Sequence, residues 1–419
     1  MEPRIGRPSG GEYRNPRRLV QKRIYLERNV VVLSAAVFLF AFGEELWNSF
    51  LPKYMETWGA SIAVIAVFGT FKDFLDALYQ YPGGVISDQI GERRALMLFA
   101  GFAAVGYAVY LLAERPWVFF IGVLFVMAWG SLGLPALFSM IGAAVSAERR
   151  TWGFSWQSLL KRLPMVFAPA LGGWMIVHWG MIRGVRSGLT LAVVIALLTL
   201  FLQKWFYVDH RMAPGAPVLR PQKVFQQLSP ALKRLLISDI FARLAEGIAE
   251  IFIVLYAMNH LGLSAQQFGL LVGIQMAVAI AGYLPAAALA ERFGRKPVVS
   301  FTFVCFALFP LLVLLAHNFL QMAGAFVVGG LREFGEPARK AMIVNLSEPK
   351  ARGAHVGLYY LIRNLSVTPA AALGGFLWHL ISPRATFETA FFCGIVGVLL
   401  FAVAVREPQP EVRYEMDHA

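Results

Sequence analysis

Apolar positions in this chain come in unbroken stretches of about 20 residues, the length a helix needs to cross the apolar core of a bilayer. Twelve such runs occur, at 30–53, 61–87, 95–114, 116–142, 152–178, 187–207, 235–259, 264–290, 297–316, 318–346, 355–380 and 386–405. They predict twelve membrane helices, spans 1 to 12. The polar positions inside these runs are not scattered. Span 1 carries Glu44 and Glu45, span 2 carries Lys72, Asp73 and Asp76, span 5 carries Lys161 and Arg162, and span 11 carries Arg363. Span 10 holds Arg332, Glu333, Glu336, Arg339 and Lys340, while Asp239, Arg243, Glu246 and Glu250 of span 7 recur at spacings that put all four on one helix face.

A second pattern lies over the first. Gly84 to Arg94, ending span 2, returns as Ala287 to Lys296 at the end of span 8, 203 residues on. Glu44 and Tyr54 return as Glu246 and Tyr256, Gly133-Leu134-Pro135-Ala136 as Gly335-Glu336-Pro337-Ala338, and Ala170-Leu171-Gly172-Gly173 as Ala372-Leu373-Gly374-Gly375, each 202 residues on. One six-span unit has been duplicated, and such repeats are characteristic of proteins that move solutes by rocking one half against the other. The expected organisation is a basic tail (1–28), an N-terminal bundle (29–207), a Pro-rich linker (208–234), a C-terminal bundle (235–405) and a second tail (406–419).

On these residues the chain resembles the major facilitator superfamily from residue 29 to 405. The loop signature of that family, G-x-L-x-D-R-x-G-R-R, is matched by Gly84, Asp88, Gly91, Arg93 and Arg94, with departures at Ile86, Gln89 and Glu92. The second copy keeps Arg292, Gly294, Arg295 and Lys296 but has Ala287 and Glu291 in place of the first glycine and the aspartate. The resemblance implies an all-α membrane protein with twelve transmembrane helices in two pseudo-symmetric six-helix bundles. It also implies secondary active transport by alternating access, a central cavity lined by spans 1, 4, 5, 7, 10 and 11, and a gating role for Gly84, Asp88, Gly91, Arg93, Arg94, Glu291, Arg292, Gly294 and Arg295. Pro169-Ala170-Leu171-Gly172-Gly173 is similar to the end of the antiporter signature of the family, which favours efflux, against ordinary helix packing as the other reading.

Composition agrees with a bilayer as the solvent: 58% of residues are hydrophobic, 15% are charged and the mean hydropathy is +0.60. A net charge of +13 would suggest nucleic acid in a soluble protein, but the Lys and Arg residues fill the N-terminal tail, alternate loops and the linker. That asymmetry places both termini in the cytoplasm of a cell-membrane protein. No phosphate-binding glycine loop is present, so an ion gradient is the expected energy source. Cys305 and Cys393, both within spans, read as packing, and no metal or cofactor is expected.

Each intramembrane charge costs about 2.5–3.5 kcal/mol at a helix centre and must face a partner or a cavity. Carboxylates in such surroundings bind and release protons as cations approach or withdraw. Glu44 and Glu246, at equivalent depths, are the leading proton-coupling candidates, with Glu45 and Glu250 next; fixed pairing with the buried arginines is the opposing reading. Trp47, Asn48, Arg162, Tyr256, Arg332 and Arg363 are candidates for the substrate cavity, where aromatic and acidic groups suit cationic or amphipathic solutes. The expected protein is a monomeric, proton-coupled exporter of small organic molecules. A proton symporter for an organic anion or sugar is the first alternative, and a membrane enzyme or a non-transporting sensor the alternatives of another class.

Overall fold

In the computed structural model the described residues, 16–133, 159–207, 225–226, 228–347 and 352–405, are helices joined by short turns, with no strand among them. Span 1 runs through Pro16–Glu45, breaks, and resumes at Leu51–Thr57. Spans 2 and 3 are Ile62–Ile90 and Glu92–Leu111, and span 4 begins as Pro116–Met127 and widens over Ala128–Leu132. Span 7 is Pro230–Leu255, spans 8 and 9 are Ala265–Phe293 and Arg295–Leu315, and span 12 is Pro383–Ala404. The remainder of spans 4 and 5, most of the linker and both tails up to Pro16 and beyond Val405 lie outside the described residues.

Helix boundaries differ from expectation where backbone chemistry intervenes. Span 1 starts at Pro16, inside the expected tail. Spans 5 and 6 are joined with no polar loop: helix Pro164–Phe206 is interrupted at Gly180, whose φ of 80° is open to glycine and strained for other residues. Span 10 divides into Phe319–Leu331 and Glu336–Asn345, and span 11 into Arg352–Val367 and Ala370–Leu380. Pro337 and Pro369 sit at these breaks, each removing a backbone N–H that an uninterrupted helix would use.

The repeat is visible in the details of the turns. Ser61 caps span 2 by accepting from the Val64 N–H, and Ser264, 203 residues on, caps span 8 from Gln267. Gly91 and Gly294 make the same turn at φ 85° and 86°. Among the described residues six helices are apolar and long enough to cross a membrane by composition: they contain spans 1, 3, 5 with 6, 8, 9 and 12. Spans 2 and 7 fall short because of the charges they carry, and spans 10 and 11 because each is broken into two shorter helices.

Two packed halves, spans 1–6 and 7–12, meet where span 5 lies on span 8 and span 2 on span 11, pairs that the repeat exchanges. Glycines set these distances. A Cβ on Gly172 would come 1.9 Å from the Leu46 carbonyl oxygen, and one on Gly374 2.1 Å from that of Ile248; Leu46 and Ile248 are again 202 apart. Gly173 and Gly375 do the same between the halves, against the Ala265 carbonyl oxygen at 2.3 Å and the Ala66 Cβ at 2.1 Å. The Ala-Leu-Gly-Gly segments thus serve close packing in both halves alike.

Candidate functional site

A cavity of about 360 Å³ lies between the halves. Span 1 presents Glu45, Asn48, Ser49 and Pro52 to it, one face at helical spacing, and span 7 presents Gly247, Glu250, Ile251 and Val254, each the repeat equivalent of its counterpart. Span 2 gives Gly69, Lys72 and Asp73, and span 8 gives Val272, Gln275 and Met276, equivalent at an offset of 203. The lining is therefore two-fold pseudo-symmetric in backbone and asymmetric in chemistry. Spans 2 and 8 line the cavity beside 1 and 7, which corrects the expected set of lining helices; among the described residues span 4 contributes none.

Behind the wall of the C half runs a chain of alternating charges. Asp239, fully buried, accepts from Arg339 and from the Tyr359 hydroxyl at 2.9 Å, and lies 3.5 Å from Arg363. Arg339 also pairs with Glu336, which lies 3.3 Å from Arg243 and 3.5 Å from Lys340. Arg243 donates to Glu246 at 2.7 Å, Glu246 lies 3.2 Å from Arg332, and Arg332 lies 3.9 Å from Glu250 in the cavity. Spans 7, 10 and 11 are cross-linked by this ladder. The break in span 10 serves it: Arg332 caps the carboxyl end of Phe319–Leu331 and Glu336 opens Glu336–Asn345, each complementing the helix dipole.

The expected site residues separate into groups. Glu45, Glu250, Asn48 and Arg332 line the cavity. Glu45 is buried, with the Ser49 hydroxyl at 3.5 Å, while the Glu250 side chain is 60% exposed. Glu246 is held between Arg243 and Arg332. Glu44 lies off the cavity face with no ion pair among the described residues, within electrostatic reach of Tyr107 and Tyr110 of span 3. Trp47 is buried against those same tyrosines, at ring distances of 5.6 and 5.5 Å, and so packs the N half instead of lining the cavity. Tyr256 hydrogen bonds to the Leu314 carbonyl and stacks on His260, likewise outside the lining. Arg363 belongs to the ladder and contacts Asn364. Asp73, Lys72 and Gln275 were not singled out by sequence for the cavity. The signal was present in the face Gly69, Lys72, Asp73, which follows the same helical spacing as Glu45, Asn48, Ser49.

In the signature loops Arg93 donates to the Lys204 carbonyl at the end of span 6, and Lys296 donates to the Ala402 carbonyl at the end of span 12 at 2.9 Å. Each half thus binds its own last helix, with a cation at a helix carboxyl end. Gly91 and Gly294 make the turns; the backbone of Glu291, Arg292 and Arg295 is at or beside the second one. Arg94 is exposed. Side chains at Gly84 and Asp88 lie outside the described residues.

Two polar ties join the halves on opposite sides of the cavity. At the far ends of spans 1 and 7, the Asn259 amide donates to Glu56 at 2.9 and 3.2 Å and accepts from Lys53. Toward the signature loops, Arg162 of span 5 donates to Glu333 of span 10 at 3.0 Å, its guanidinium over the Tyr283 ring. The alternating access expected from the sequence would require one tie to part while the other holds. Asn259→Ala is expected to raise the alkylation rate of a cysteine at Ser49 from the far side about threefold or more, and Arg162→Gln to raise it from the signature side, as a tie of about 1 kcal/mol is removed. Cys305 is buried, which keeps its background low, and Cys393→Ser removes the other thiol.

The sequence profile of the Major Facilitator Superfamily matches residues 33–243 and again 235–415. An uncharacterized MFS-type transporter of Methanocaldococcus jannaschii is 21% identical over 393 residues, 90% of this chain and 94% of its own. The multidrug resistance protein MdtH of Salmonella typhimurium is 18% identical over 362 residues, covering 83% of this chain and 86% of its own. A crystal structure of a variant of the nucleoside transporter NupG superposes with a TM-score of 0.75 at 12% identity, covering 90% of this chain and all of that one (100%).

Proposed function

The chain belongs to the major facilitator superfamily of secondary transporters, and from that premise we propose that it exports small organic molecules from the cytoplasm in exchange for protons. The supporting observation is the cavity between the halves, where Glu45, Asp73 and Glu250 meet against Lys72 and Arg332. A substrate amine and a proton compete for the same carboxylates, so binding of one releases the other; that competition is the coupling. Glu45 and Glu250 take the leading place among the four candidate acids because they face the cavity. Glu246 is engaged by two arginines, and Glu44 is not among the residues lining the cavity.

Likeness by name to multidrug resistance proteins supports export. The symport alternative drew on the buried arginines as anion sites. Arg162, Arg243 and Arg363 are occupied by Glu333, by Glu246 with Glu336, and by Asp239, which weakens it.

The test is flux in reconstituted vesicles with tetraphenylphosphonium as the probe. A proton gradient, acidic on the side that would be outside the cell, is expected to drive the probe toward that side. Glu45→Gln and Glu250→Gln are each expected to lower the gradient-driven rate about tenfold or more, the scale of one lost 1.4 kcal/mol interaction. Gradient-driven flux unchanged in both variants would remove these residues from the coupling step, and flux in the opposite direction would favour the symporter.

A further inference from the structure

The charges in the cavity are of both signs, and each half supplies both. Glu45, Asp73 and Lys72 come from the N half, Glu250 and Arg332 from the C half. Lys72 and Asp73 have no ion pair with any residue among those described. Glu45 has the Ser49 hydroxyl at 3.5 Å and, among the described residues, no cation at ion-pair distance.

Arg332 is the best-formed group in the lining. Its side chain is 6% exposed, and its guanidinium carbon lies 5.0 Å from the centre of the Phe309 ring and 5.7 Å from that of Phe306. Both carboxylate contacts, Glu246 at 3.2 Å and Glu250 at 3.9 Å, go through one terminal nitrogen, so the other terminal nitrogen makes no ion pair among the described residues. A planar guanidinium held by two rings and engaged on one nitrogen is a fixed fork with unused donors, the geometry that receives a carboxylate. The other arginines of the ladder do not line the cavity.

A substrate bearing only a positive charge would leave that fork unused in a desolvated wall. One bearing only a negative charge would meet three carboxylates. We propose that the preferred substrates are amphipathic zwitterions, the carboxylate received by Arg332 and the amine by Glu45 and Asp73, with an aromatic or aliphatic body against Phe268, Phe309 and Phe326. This rests on the reading of the cavity as the substrate site and narrows it to one chemical class. The volume of about 360 Å³ suits a compact molecule, toward the small end of ligand sites.

Three indoles differing only in charge provide the test: tryptamine, tryptophan and indole-3-propionate, titrated calorimetrically into the purified full-length protein. Tryptophan is expected to bind about tenfold or more tightly than either singly charged relative. Arg332→Lys keeps a cation for Glu246 but loses the fork, and is expected to bring tryptophan down to the level of tryptamine. Glu45→Gln, which leaves the ladder untouched, is expected to weaken tryptophan and tryptamine together and spare indole-3-propionate. Tryptamine binding as well as tryptophan, or none of the three binding, would overturn the proposal. Gradient-driven export of tetraphenylphosphonium persisting in that case would leave the exporter reading standing, so the two can fail separately.

Discussion

Asp239→Ala is expected to destabilise the C half by about 3–5 kcal/mol, the cost of leaving the partner of a buried ion pair uncompensated. Asp239 is wholly buried and neutralises Arg339, itself 1% exposed, with Arg363 and the Tyr359 hydroxyl on its other oxygen. Its removal leaves two guanidinium groups facing an apolar void, with Glu336 alone to satisfy Arg339. Unfolding by sodium dodecyl sulfate, followed by circular dichroism, measures the loss. Adding Arg339→Met to Asp239→Ala is expected to recover at least half of it, because an apolar pair of similar volume carries no desolvation penalty. If the double variant is no more stable than the single, the pair is not the source of the effect.

The next largest effects are expected at the paired glycines, and they should divide by position. Gly172→Ala puts a Cβ 1.9 Å from a backbone carbonyl oxygen of span 1, within one half, so helices must separate and stability should fall by about 1–3 kcal/mol. Gly173→Ala meets the Ala265 carbonyl of span 8, across the halves. Here each half can remain folded while the approach of spans 5 and 8 is blocked. In the proposed transport cycle this approach forms and parts, and turnover should then fall about tenfold or more with little change in unfolding. Gly324→Ala, with nothing within 4 Å of its Cβ position, is the neutral comparison. Equal behaviour of all three would show that these contacts limit neither folding nor turnover.

The fold was legible because hydropathy and the repeat point the same way. An offset of 202 or 203 relates the Leu46 and Ile248 contacts, the Ser61 and Ser264 caps and the turns at Gly91 and Gly294. The site was legible only in part. The repeat makes Glu44 and Glu246 equivalent in backbone, but Arg243 and Arg332, which hold Glu246, correspond to Ala41 and Gly130. Position is inherited from the duplication, whereas environment depends on neighbours brought in from other helices. Adjacent acids likewise point apart on a helix, so sequence could name Glu44 and Glu45 without telling which faced the cavity. Helical spacing on span 1, with Asn48 the repeat partner of Glu250, is the feature that would have told them apart. Trp47 and Tyr256 look like lining by composition, and only packing against Tyr107, Tyr110 and His260 assigns them elsewhere.

The ladder also constrains how the protein is made. Arg339, the partner of Asp239, lies 100 residues further along the chain, which at about 5–20 residues per second is some 5–20 s of synthesis. During that interval Arg243 and Glu246 of span 7 can pair with each other, but Asp239 and Glu250 have no partner until spans 10 and 11 exist. Spans 8 and 9, both apolar and long enough to cross a membrane by composition, emerge in between. Stable insertion of span 7 is therefore expected to depend on spans 10 and 11, and a chain truncated after span 9 is expected to integrate span 7 less completely than the whole chain.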